Sequence, residues 1–61
     1  MTKGTILKCI TEGNGCLTIG NLYIVAFVML VKSPPTDVWV INDNGLIRDY
    51  PIRRFKIILE P

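Results

Sequence analysis

Four cations crowd the last quarter of this 61-residue sequence: Arg48, Arg53, Arg54 and Lys56, against only Asp49 and Glu60 in the same stretch. Guanidinium and ammonium groups so grouped, with Tyr50 among them as a flat stacking surface, suit phosphates or an acidic protein surface. Residues 1–45 carry Lys3, Lys8 and Lys32 against Glu12, Asp37 and Asp43, which cancel, so the net charge of +2 resides wholly in the C-terminal part. Strong, salt-dependent binding to nucleic acid takes on the order of 6–10 cationic contacts. Four, offset by Asp49, would bind weakly. The plainer alternative is a set of solvated charges at the ends of a short strand pair.

No other group of side chains is equipped for a reaction. The chain has no histidine, its carboxylates are scattered, and neither its serine nor its two cysteines have a base to activate them. An enzyme is not expected, nor a cofactor or small-molecule substrate. Asp43 between Asn42 and Asn44 is turn composition rather than an acid/base pair. Cys9 and Cys16 lack the CxxC spacing and could supply at most two of the four ligands zinc requires. They are too few for a disulfide framework and read as small buried or half-buried thiols, although one bridge between them is conceivable.

The elements that hold these residues are short strands. Thr5–Ile10 reads as a first strand, and Thr11–Cys16, with its Asn-Gly step, as a loop. Leu17–Leu22 is an extended piece broken at Gly20-Asn21. Then comes an unbroken apolar run, Leu22–Val31. A strand with one wet face alternates apolar and polar residues, yet here Ile24, Ala26, Val28 and Leu30 fall on one side and Tyr23, Val25, Phe27, Met29 and Val31 on the other. Ser33–Asp37 holds two prolines and must be a loop. Val38–Ile41 and Leu46–Tyr50 form a hairpin across Asn42–Gly45, whose Asn-Gly step predicts a type I′ turn. Pro51–Phe55 is long enough for one 3₁₀ turn opened by proline, and Lys56–Leu59 closes the set.

With 49% hydrophobic and 20% charged residues the chain is too apolar for disorder, and its length predicts one domain over residues 1–61. The apolar run is half of the ~20 residues a membrane helix needs, and its position behind a strand-like segment argues against a targeting peptide. No membrane partner is expected. Five or so short strands joined by tight turns predict an all-β barrel.

The order strand, irregular loop, long strand, hairpin, 3₁₀ turn, closing strand resembles a five-stranded SH3-like barrel. The segments KCI, LTIGNLY, VINDNG and YPIRRF, spanning Lys8 to Phe55, are similar to small SH3-like proteins encoded by bacteriophages and prophages. That resemblance implies fold and a viral origin, with action in the host bacterial cytoplasm, but no general activity. In those proteins the outer face of the second strand carries polar or acidic residues; here it is aliphatic. Trp39, Pro51 and Phe55 resemble positions that line a polyproline groove in ordinary SH3 domains. The acidic loop of such grooves is missing, and a core role for Trp39 and Phe55 fits better.

A contiguous apolar face usually marks an interface. The expected site is therefore Ile24, Ala26, Val28 and Leu30 together with Arg48, Tyr50, Arg53 and Arg54, binding a host protein and inhibiting it. A nucleic-acid accessory role through Arg48, Tyr50, Arg53, Arg54 and Lys56, or a structural homodimer, are the alternatives. If the strand instead bends so that its two halves bury opposite faces, part of this site becomes core.

Overall fold

A computed structural model describes residues 1–13, 15–28 and 36–61. Its elements are β1 (Ile6–Cys9), β2 (Leu22–Val28), β3 (Asp37–Ile41), β4 (Ile47–Pro51), one 3₁₀ turn (Ile52–Arg54) and β5 (Phe55–Leu59). All five strands are antiparallel to their neighbours and lie in the order β4-β3-β2-β1-β5. The all-β class and the 3₁₀ turn before the last strand are those the sequence predicts. The sheet is not closed: β4 and β5 are its two edges among the described residues. The break expected at Gly20-Asn21 is a turn, with Asn21 N donating to Thr18 O at 3.1 Å, but the residues before it form no strand, and β2 begins at Leu22. Leu30, with the remainder of the apolar run and the Ser33–Pro35 portion of the proline loop, lies outside the described residues.

The core is small and built from inward residues of every strand: Leu7, Cys9, Tyr23, Val25, Val38, Val40, Tyr50 and Phe55. Phe55 is flanked edge-on by Tyr23 and Tyr50, with ring centroids 6.3 and 6.4 Å away, a geometry aromatic quadrupoles favour. Cys9 is buried and Cys16 half-buried, both as free thiols.

β2 decides which side chains face out. Tyr23 and Val25 point inward, and Val25 pairs with the fully buried Val40. Between Val25 and Phe27 the register slips by one residue, leaving Ala26 without a cross-strand partner. Such a bulge reverses the alternation beyond it. Phe27 therefore turns outward opposite Trp39, whereas Val28 pairs with the fully buried Val38 and packs against the core. The expected outer stripe of Ile24, Ala26 and Val28 is thus corrected. Ile24 is outside, Ala26 is the half-buried bulge residue, and Val28, also half-buried, faces inward against the core.

The hairpin turn also differs from expectation. Gly45 is the one residue of Asn42–Gly45 with positive φ (77°), and Gly45 N donates to Asn42 O at 2.9 Å. Asn44 keeps negative φ, which excludes type I′. The turn is type I with glycine in the left-handed position next to it, the usual three-residue hairpin loop. The Asn42 side chain makes this geometry worthwhile: its Oδ1 accepts from Asn44 N at 2.9 Å and from Leu46 N at 3.0 Å.

Candidate functional site

The expected cationic site does not assemble as one patch. Arg54 is buried, its guanidinium carbon 5.5 Å from the centre of the Tyr50 ring and its far side against Gly13, where a Cβ would stand 2.9 Å from that carbon. Tyr50 is buried as well, its hydroxyl accepting from Asn42 Nδ2 at 3.3 Å. Neither is presented for contact, so both are corrected from binding residues to structural ones. Arg54 is a cation laid over an aromatic face under a loop that only glycine can bring so close. Arg48, Arg53 and Lys56 are exposed, but Arg48 and Lys56 lie on opposite edge strands. Arg48 Nη1 turns back to its neighbour's carbonyl, Ile47 O, at 2.9 Å.

The turn residues form a second polar cluster. Asp43 accepts from the Tyr23 hydroxyl at 2.7 Å and from Thr18 Oγ1 at 2.8 Å, while the same tyrosine oxygen accepts from Thr18 N at 2.7 Å. Asp43 N donates to Cys16 O at 2.8 Å, and Asn44 Nδ2 to Cys16 Sγ at 2.9 Å. Both carboxylate oxygens and the amide of Asp43 thus fasten the hairpin to the 15–18 loop and to Tyr23 of β2. Among the described residues no cluster of three metal-binding side chains occurs.

Burial raises the pKa of Tyr23; the hydrogen bond from Thr18 N pulls it down, and the Asp43 carboxylate pushes it up again. Because ionised Tyr23 is disfavoured in the folded state, its contribution is complete below the ordinary tyrosine value of about 10 and is lost as pH climbs through the raised folded value. Tyr23→Phe should weaken folding by about 1 kcal/mol at neutral pH, the worth of a buried hydrogen bond. It should also remove this residue's share of the alkaline decline. Urea midpoints at neutral and strongly alkaline pH check both; an unchanged alkaline slope refutes the assignment.

The outer face of the sheet is where the exposed apolar surface lies. Ile24, half exposed, sits directly across from Ile6, and Ile6 in turn from Leu59, giving an aliphatic row over β2, β1 and β5. One step beyond the Val25–Val40 pairing brings Ile41 beside Ile24, and Ile41 pairs with Ile47 on β4. Leu59, Ile24, Ile41 and Ile47 are all exposed. Next to this row, Phe27 stacks on Trp39 at 5.1 Å and 21°, so Trp39 is an outer-face residue, not core, and shares no groove with the buried Phe55. Two open depressions on the 11–19 side, one of about 720 Å³ lined by Glu12, Gly13, Leu17, Thr18 and Ile19, gather no chemically matched groups.

Of the expected site, then, Ile24 stays exposed on this face and Ala26 flanks it. Phe27, Trp39, Ile41 and Ile47 are its unforeseen members. A bulge in an all-apolar run leaves no mark in the alternation, so the alternative that the two halves of the strand bury opposite faces could be stated from the sequence, but not the residue at which they exchange. Ile41 and Ile47 were legible in principle as the outward positions of the hairpin strands.

The class defined by these features is a small five-stranded antiparallel β protein with an apolar outer face. No known protein family, curated protein or solved structure matches the chain. Among the described residues no helix is long and apolar enough to cross a membrane.

Proposed function

We propose that this protein is a non-enzymatic SH3-like interaction module that seats a protein partner on the outer face of β1, β2 and β3. The observation that carries this reading is the continuous row of Leu59, Ile6, Ile24, Ile41 and Ile47, all exposed but the half-buried Ile6, flanked by the Phe27–Trp39 stack. Scattered single apolar residues on a surface need no explanation, but a row crossing all five strands does. Covering it removes apolar area from water at about 25 cal/mol per Å², which a chain of this size gains only from a partner. The strand order and the 3₁₀ turn before the last strand support an SH3-like barrel. The resemblance of the four segments supports a phage or prophage protein acting on a host bacterial protein in the host cytoplasm, inhibiting it by occlusion.

A nucleic-acid role is less well supported: with Tyr50 and Arg54 buried, the exposed cations of the group are Arg48, Arg53 and Lys56. The test is capture from bacterial lysate. Ile24→Asp should keep the parent melting temperature, because Ile24 is already half in water, yet lose any band the parent retains; Arg53→Ala should keep it. A retained band with Ile24→Asp overturns the docking face.

A further inference from the structure

Lys8 and Lys56 are direct cross-strand neighbours on the outer face, one on β1 and one on the edge strand β5, and both are exposed. Like charges directly opposite each other in an antiparallel pair are unfavourable. Nothing on that face relieves them. The third residue of the row is Leu22, paired with Lys8. Of the acidic residues, Asp43 is held by Tyr23 and Thr18, Glu60 pairs with the N-terminal ammonium at 3.4 Å, Asp49 lies opposite Trp39, and Asp37 opposite Pro51 on β3–β4. Glu12 is in the loop after β1. One residue row away runs the aliphatic line Leu59–Ile6–Ile24.

From this juxtaposition we propose that the β5–β1–β2 strip takes an extended acidic segment of the partner protein, its apolar side chains on the Leu59–Ile6–Ile24 row and its carboxylates between Lys8 and Lys56. This rests on the docking reading above and names the chemistry of its partner. A strand-like segment matches the strip because its alternate side chains repeat at the sheet's own spacing.

A second copy of this chain fits poorly. A two-fold contact through this strip would gather four lysines and bring no carboxylate to them. An anionic bilayer is broad enough to meet Asp49 on the same face as well, which the narrower segment avoids.

The test uses two synthetic peptides, one repeating leucine-serine-glutamate-serine and the other leucine-serine-lysine-serine, so that leucine and charge share one face of an extended strand, titrated against the intact chain. The acidic peptide should bind, with affinity falling about tenfold or more as salt is raised, since exposed ion pairs are screened; the basic peptide should not. The double substitution Lys8→Glu, Lys56→Glu should reverse that preference. Lys56→Glu alone should weaken the acidic peptide while leaving the melting temperature equal or higher, because it replaces a repulsive pair by an attractive one. A purely structural role for these lysines predicts no change in peptide preference. Equal binding of both peptides, indifference to the double substitution, tighter binding to phosphatidylglycerol vesicles than to the acidic peptide, or a concentration-dependent dimer that blocks the peptide would each overturn the proposal. Should it fail while Ile24→Asp still loses the lysate partner, the docking face stands and only the acidity of its occupant is wrong.

Discussion

Val28→Asp is expected to unfold the protein. The same substitution four residues earlier, Ile24→Asp, is expected to leave it folded. The two positions look alike in the sequence, both aliphatic and both an even step along one apolar run. The slip at Ala26 separates them: Ile24 remains outside across from Ile6, while Val28 is carried inward opposite the fully buried Val38. A carboxylate at position 28, half-buried against the core, would have to shed part of its hydration, and valine's own packing would be lost. A cost of about 2–4 kcal/mol is the expectation for such a change. The folding free energy of a chain this short is about 3–9 kcal/mol, so the loss is a large fraction of the whole. Circular dichroism and amide dispersion of the purified variant decide the matter. A cooperative melt near the parent's would show that the bulge is misplaced, and with it the identity of the outer face.

Gly15→Ala should cost about 2–5 kcal/mol, although Gly15 is at the surface. Its φ of 104° is unfavourable for any side chain, and a Cβ there would lie 2.5 Å from Cε1 of Tyr50. The backbone alone accounts for about 1–2 kcal/mol, and displacing a packed ring for about 1–3 more. Tyr50 has nowhere to go: Phe55 meets it edge-on, Arg54 covers its face and Asn42 holds its hydroxyl. Gly20 supplies the control. Its φ is 89°, but nothing lies within 4 Å of where a Cβ would stand, so Gly20→Ala should show the backbone cost alone. Equal shifts in urea midpoint for the two would mean that the 15 loop does not press on Tyr50.

Strand positions, the place of the hairpin and the 3₁₀ turn were legible because each rests on local chemistry. Prolines end ladders, Asn-Asp-Asn-Gly makes a turn, and β-branched runs extend. What escaped reading depends on distant partners. Arginine is usually solvated, and only the approach of Gly13, some forty residues earlier in the chain, over a guanidinium lying on the Tyr50 ring makes Arg54 a buried residue. Asn44 would have taken positive φ in a two-residue loop; Asn42 accepts two backbone hydrogen bonds instead and leaves that conformation to Gly45. The Lys8–Lys56 pair joins residues from opposite ends of the chain, so no spacing rule announces it.

The bulge at Ala26 acts on β2 like a frameshift on a message. Deleting that residue would close the slip and restore strict alternation with Phe27 still outside opposite Trp39 and Val28 still inside opposite Val38. Loss of residue 26 should therefore spare both faces of the ribbon and remove only the local bend that an extra residue imposes, whereas a one-residue insertion beside it would exchange the faces of everything beyond.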